Sequence, residues 1–277
     1  MSAAEEMNDL PSKIGILAGS GVLPRVLVEA CQAKGIAVFV VAFEGQVDVA
    51  RFDDVECISV GLGQAGRVIK ALKARGIRDL VLIGAIKRPS FSTLKTDLKG
   101  AQILAKLAVR GGDSDLLSSL KDVLAGEGFV VRGMQEFVDD ALAPRGVLGS
   151  VQPEVQDLAD IKAGVTAALA LGRDDIGQAV IVRGERILRE DADGTDAMIA
   201  RWDGSGGVLV KLCKPQQDKA LDLPTIGVDT VRNIHAAGLR GIAVHAGHSF
   251  IAELEKVRGV ADDLGVFVIG IKPEEFE

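Results

Sequence analysis

Short apolar runs alternate with stretches of helical periodicity along the first half of the chain. Lys13–Ala18 reads as a strand, Gly19-Ser20-Gly21 as a turn, and the residues after it as a helix with Pro24 suited to its first turn. Gly35 ends that helix, and Ile36–Phe43 is the next strand. Cys57–Val60 is a short strand before Gly61 and Gly63, Arg67–Arg75 is helical with Gly76 as its cap, and Asp79–Ile83 is a buried strand that runs into the loop Gly84–Ser92. Helices at Gln102–Val109 and Ser114–Ala125 and a strand at Phe129–Arg132 follow. Strand and helix taking turns in this way predict a parallel, doubly wound sheet.

The pattern weakens over Gly133–Pro153, where glycines, prolines and mixed charges replace it, and the domain boundary is placed there, giving domains of residues 1–140 and 141–277. The second half predicts a helix at Leu158–Leu171, a hairpin of Ala179–Arg183 and Ile187–Glu190 turning at Gly184-Glu185, and a helix at Ala197–Arg201. A strand at Val208–Cys213, a helix at Thr230–Ala237, a strand at Ile242–His245, a helix at Glu253–Leu264 and a strand at Val266–Ile271 complete it. The class is α/β.

Composition adds exclusions. Hydrophobic residues make up 48% and charged residues 26% of 277 positions, a packed globular profile. Aromatics are only 4%, with no Tyr, and the net charge is -7, so stacking platforms and basic patches for nucleic acid are not expected. Cys31, Cys57 and Cys213 show no CxxC spacing and read as reduced thiols. Met1–Pro11 is polar and acidic rather than a signal peptide, and the apolar runs are strand length, so a cytoplasmic protein is expected.

Candidate chemistry falls in four places. Gly19-Ser20-Gly21 lies between a strand and a helix, where glycines admit an anion to the helix N-terminus. With Glu44 as a ribose-binding acid it matches the start of a dinucleotide fingerprint, yet Pro24 stands where the third glycine belongs, and a purely structural turn is the alternative. Lys87 and Arg88 leave a central strand and either hold phosphate or form a solvated basic loop. Gly111-Gly112-Asp113-Ser114-Asp115 precedes a helix and is either a ligand-facing turn or an N-cap. The densest set is Gly194-Thr195-Asp196, Lys214–Asp218 and Asp222–Thr230. Cleaving a phosphoanhydride calls for charge neutralisation and a placed water, which Mg²⁺ on one or two carboxylates supplies, with Lys214 as a point charge. Helix capping by Asp196 and Asp229 and a turn at Asp222 are the structural alternatives. His245 and His248 lack a third zinc-type ligand and read as structural, as does His235. No G-x-S-x-G elbow or Walker A loop occurs.

The runs LAGSGVLP (Leu17–Pro24), RPSF (Arg88–Phe91), GGDSDLL (Gly111–Leu117), GTDAM (Gly194–Met198) and KPQQDKALDLPTIGVDT (Lys214–Thr230) resemble the LpxI-type UDP-2,3-diacylglucosamine pyrophosphatases, in the same order and over nearly the whole chain. The resemblance implies a Rossmann-like N-terminal domain with a parallel sheet, a C-terminal catalytic α/β domain, and the ligand between them. It implies a Mg²⁺-dependent step of lipid A synthesis that yields UMP and 2,3-diacylglucosamine 1-phosphate. Asp229, Lys214 and Asp222 are the expected catalytic residues, and Asp229, Asp222 and Asp196 the expected metal ligands. Substrate contacts are expected at Gly19, Gly21, Val22, Ala85, Ile86, Arg88, Asp113, Ser114, Arg173, Gln178, Thr195, Gln217 and Thr225. The substrate class is a glycolipid nucleotide, which brings an expectation of transient contact with the inner membrane surface; a homo-oligomer stays open. Two rival classes remain: an NAD(P)-linked oxidoreductase built on the glycine loop and Glu44, and a non-catalytic nucleotide or lipid carrier.

Overall fold

The run KIGILA forms β1 (Lys13–Ala18), buried along all but its first residue because both of its faces are covered. In the computed structural model, which describes residues 10–86, 95–107, 113–184, 186–191 and 193–276, the chain divides into two units. The first is Met1–Asp139 with Asp218–Asp222, and the second is Asp140–Gln217 with Leu223–Glu277. The division is therefore made at three points of the chain.

In the first unit, β1 pairs in parallel with β2 (Ala37–Phe43) and β4 (Asp79–Ile83). β3 (Glu56–Val60) adds to β2 and β5 (Val130–Val131) to β4, giving the order β3-β2-β1-β4-β5. Helix α1 (Leu23–Ala33) buries Pro24, Leu27, Val28 and Cys31, with Pro24 inside its first turn, where a missing N–H costs nothing. Helix α2 (Ala65–Ala74) presses Val68, Ile69 and Leu72 into a core with Leu17, Phe39, Val41 and Leu80. Gly15 is needed there: a Cβ on it would stand 2.7 Å from Leu72 Cδ2 and 2.8 Å from Leu80 Cδ2. α3 (Leu98–Leu107) and α4 (Asp113–Gly126) follow. This is the all-parallel, Rossmann-like order.

The second unit carries a six-stranded mixed sheet, β6-β13-β11-β9-β7-β8. β9 (Val208–Lys211), β11 (Gly241–His245) and β13 (Phe267–Ile271) are parallel. β7 (Ala179–Arg183) runs antiparallel to β9 and forms the expected hairpin with β8 (Arg186–Arg189), and β6 (Gly146–Val147) pairs antiparallel with β13. α5 (Val155–Arg173) covers one face through Ile161, Val165 and Ala168 against Val180, Val182 and Val210. α6 (Gly194–Ala200), α7 (Val228–Ala236) and α8 (Leu254–Leu264) cover the other through Met198, Ile234 and Val257 against Ile181, Leu209 and Ile242. Alternate residues of β7 thus serve opposite cores, as period-two side chains must. β10 (Thr225–Ile226) and β12 (Phe250–Ile251) make a separate parallel pair.

The fold is mixed α/β, as the alternation predicted. The two-residue strands β6, β10 and β12 were not expected, because two residues carry no periodicity. Helix α6 begins at Gly194, one turn before the predicted Ala197, so Thr195 and Asp196 lie inside its first turn. The strand predicted at Val208–Cys213 ends at Lys211. Among the described residues no helix is long and apolar enough to cross a membrane. Cys31, Cys57 and Cys213 form no disulfide, and burial pushes the Cys31 thiol up to about 11.

Leu209 is fully buried in β9, so Leu209→Ala is expected to lower the unfolding free energy of the second unit by about 2–5 kcal/mol. Urea denaturation followed by far-UV circular dichroism measures it.

Candidate functional site

Neighbouring strands β1 and β4 lie where the order of the first sheet reverses, the position at which open parallel sheets take ligands beyond their carboxyl ends. The loops leaving those strands carry Gly19–Val22 and Gly84–Ile86, and they are joined by backbone. Gly19 N–H donates to Ile83 O at 2.9 Å, Ser20 N–H to Ala85 O at 2.8 Å, and Ala85 N–H back to Ser20 O at 3.1 Å. The Ser20 hydroxyl adds a bond to Ala85 O at 2.9 Å. A Cβ on Gly19 would stand 2.6 Å from Ala85 O and 2.7 Å from Gly84 O, and Gly84 itself sits at φ +95°. Gly19 and Gly84 are thus required by one backbone crossing another.

Gly21 differs. At φ +97° it is left-handed, and nothing lies within 4 Å of where a Cβ would be. Its carbonyl accepts a bond from Arg51 Nη1 at 2.8 Å, a cation the sequence pattern did not single out because it lies 30 positions away. Val22 and Ile86 expose apolar side chains beside these loops. Glu44 continues the ladder, its N–H bonded to Val60 O at 2.9 Å. Lys87, Arg88, Gly111 and Gly112 lie outside the described residues. Asp113 and Ser114 open α4, and their side chains are likewise outside the description.

Asp218–Asp222 belongs to the first unit. Asp218 accepts from Lys121 Nζ at 2.5 Å and Ala220 N–H at 2.9 Å, and its carbonyl receives the N–H groups of Leu221 and Asp222. Burial pushes the Asp218 carboxyl up, but the Lys121 ammonium and the Ala220 N–H outweigh it and hold it below the usual range. The Asp222 N–H closes this turn on Asp218 O at 3.1 Å.

The candidates of the second unit gather around the end of β9 and the start of β7. Leu212 N–H donates to Gln178 O at 2.9 Å. Lys214, with its side chain only 11% exposed, donates to Asp175 Oδ1 at 2.8 Å, so the expected point charge already has a carboxylate beside it. Asp175, just past the end of α5, lies in the left-handed region at φ 54°, a conformation that favours glycine. Gln217 is buried and accepts Lys214 N–H at 3.0 Å, and Gln216 Nε2 reaches Gly172 O at 2.7 Å, beside the exposed Arg173. Thr225 O accepts from Lys211 Nζ at 3.2 Å, and the Thr225 hydroxyl donates to Leu223 O.

Glu190 ties two of these candidates together. It is 7% exposed and takes the N–H groups of Gln178 and Ala179 at 2.6 and 3.1 Å and the Thr195 hydroxyl at 2.5 Å. The alternation that placed it at a strand end gave no sign of a buried acid. Asp196 and Asp229 are not N-caps. Asp193 and Gly227 hold those places, and the two acids stand within the first turns of α6 and α7. Asn233, one turn after Asp229, reaches Asp196 Oδ1 at 3.4 Å, which puts both acids on facing helices. The Asp229 side chain is 93% exposed and lies 3.6 Å from Arg232. Among the described residues no three of His, Cys, Asp and Glu are grouped to hold a metal. Two hard carboxylates suit a cation that takes its remaining oxygens from water and phosphate. The rings of His245 and His248 lie 4.4 Å apart, and His248 Nδ1 lies 3.2 Å from Ala246 O.

A family model described as the LpxI N-terminal domain matches residues 13–141, and one described as the LpxI C-terminal domain matches residues 144–269. The chain belongs to the LpxI family. A curated relative from Caulobacter vibrioides (strain ATCC 19089 / CIP 103742 / CB 15), named UDP-2,3-diacylglucosamine pyrophosphatase LpxI, is 39% identical over 277 residues, covering 95% of this chain and 99% of that protein. The biotin carboxylase subunit of pyruvate carboxylase is similar to this LpxI-family chain at 18% identity and a TM-score of 0.23. That likeness covers 65% of this chain and 38% of the other, too slight to carry an argument.

Gly19→Ala is expected to destabilise the first unit by about 1–3 kcal/mol, read by chemical denaturation, since the added methyl meets backbone rather than a side chain that can turn away. A carboxyl held low stabilises the fold above its unfolded pKa and loses that contribution as pH falls through the folded value. Asp218→Asn is therefore expected to flatten the acid limb of the stability–pH curve, with little change in its slope near neutral pH.

Proposed function

We propose that this chain hydrolyses the diphosphate bond of UDP-2,3-diacylglucosamine, giving UMP and 2,3-diacylglucosamine 1-phosphate in lipid A synthesis. The observation that carries the reading is the 39% identity to the Caulobacter enzyme over 95% of this chain, with both halves matched by the two LpxI domain models. The clustering of Gln178, Thr195, Lys214 and Gln217 by the bonds of Glu190 and the Lys214 loop supports it.

Asp229 and Asp196 are the proposed Mg²⁺ ligands, since their helices face one another and Asp229 is almost wholly open to solvent. The bound metal would supply charge neutralisation on the diphosphate oxygens. Asp229 then orients the attacking water, which displaces one phosphate ester from the other in line. Lys214, steadied by Asp175, presents its ammonium to the oxygens on which charge develops. Gln178, Thr195, Gln217, Arg173 and Thr225 are the proposed substrate contacts of this unit, and Gly21, Val22 and Ile86 those of the first. Apolar Val22 and Ile86 suit contact with acyl chains.

Purified protein is expected to release UMP from UDP-2,3-diacylglucosamine with Mg²⁺, to stop with EDTA, and to recover when Mg²⁺ is restored. Asp229→Ala should lose about a hundred-fold or more in kcat while keeping its thermal midpoint. Near-normal turnover by that variant would remove Asp229 from the chemistry, and no UMP from the unaltered protein would remove the activity.

A further inference from the structure

The two oxygens of the Glu190 carboxylate are divided between different tasks. Oε2 accepts the N–H groups of Gln178 and Ala179, and Oε1 accepts the Thr195 hydroxyl at 2.5 Å. Gly177 makes this seat possible, because a Cβ there would stand 2.9 Å from Oε2. A hydroxyl has one proton and two lone pairs. With its proton given to Glu190, Thr195 has only lone pairs to present to a ligand. A phosphate oxygen is also an acceptor and gains nothing from such a hydroxyl, whereas a sugar O–H or an amide N–H does. Gln178, whose backbone Glu190 holds, carries a second acceptor: its side-chain Oε1 is buried, and no donor among the described residues reaches it.

Resting on the reading of this site given above, we propose that Glu190 is a positioning residue that makes Thr195 an acceptor. Thr195 then meets an O–H or N–H donor of the diacylglucosamine half of the substrate and not its diphosphate. The carboxylate is thus a specificity device: it selects the donor-rich sugar from the acceptor-rich phosphates that accompany it.

Glu190→Gln inverts the arrangement without changing its size. Its amide oxygen must face the two backbone N–H groups, so its NH2 faces Thr195 and turns the hydroxyl proton outward, donor against donor. The expected result is a KM for UDP-2,3-diacylglucosamine raised about ten-fold, with kcat changed far less and the thermal midpoint kept. Thr195→Val should match it, Thr195→Ser should restore the unaltered KM, and the double variant should be no worse than Thr195→Val alone. Thr195→Val leaves Glu190 and its backbone bonds in place, so it keeps the test alive if Glu190→Gln fails to fold; it should leave product inhibition by UMP unchanged. The proposal is overturned if Glu190→Gln leaves KM unchanged or lowers it, as a phosphate contact requires. It also falls if the two losses multiply in the double variant, as separate structural roles require, or if Thr195→Val weakens UMP. Absence of turnover by the unaltered protein would sink the proposed activity and this inference together, whereas turnover with any of those variant results sinks the inference alone.

Discussion

A carboxylate that is shut away from water must be met by donors, and in the second unit that demand organises the surroundings of Glu190. Its oxygens take two backbone N–H groups at the entry to β7 and a hydroxyl from the first turn of α6. Those bonds set where Gln178 and Thr195 stand. They also secure the start of β7 next to Leu212, from which the chain runs on to Lys214 and Gln217. Gln178 and Thr195 bond that carboxylate directly, and Gln217 bonds the backbone of Lys214, whose ammonium Asp175 holds.

The first unit relies on a different constraint. Two backbones cross at the carboxyl ends of β1 and β4 closely enough that neither Gly19 nor Gly84 has room for a side chain. Glycines in a strand-to-helix loop are commonly read as making way for a ligand's phosphate. Here one of the pair makes way for the protein itself, and Gly21 alone keeps open space around it. This separates two roles that the motif G-x-G merges.

The exposed Asp229 and the shielded Lys214 illustrate how environment sorts residues that look alike in a motif. One acid of the long KPQQDKALDLPTIGVDT run, Asp218, is occupied by Lys121 within the first unit. Another, Asp222, closes a turn on the same segment, while Asp229 opens a helix of the second unit. Charge density along the chain therefore did not translate into one ring of carboxylates. Asp196 and Asp229, more than thirty positions apart, stand on neighbouring helices because α6 and α7 pack on the same face of the sheet, where Asn233 of α7 reaches Asp196.

The amino-acid sequence alone determined the α/β class, most strands and helices, and the loops in which chemistry was sought. Alternation of apolar and polar residues is a local property, and strands such as β1 and β7 obey it. Family resemblance was legible for a related reason, since motifs are local strings. Tertiary structure decided the rest: that Gly19 answers to Ala85, that Arg51 reaches Gly21, and that Asp175 neutralises Lys214. It also decided that Glu190, an ordinary acid at a strand end, is buried. The bonds Arg51–Gly21, Lys214–Asp175 and Ser20–Ala85 join residues 30, 39 and 65 positions apart, and no period or motif records which distant partner will satisfy a polar group once water is removed.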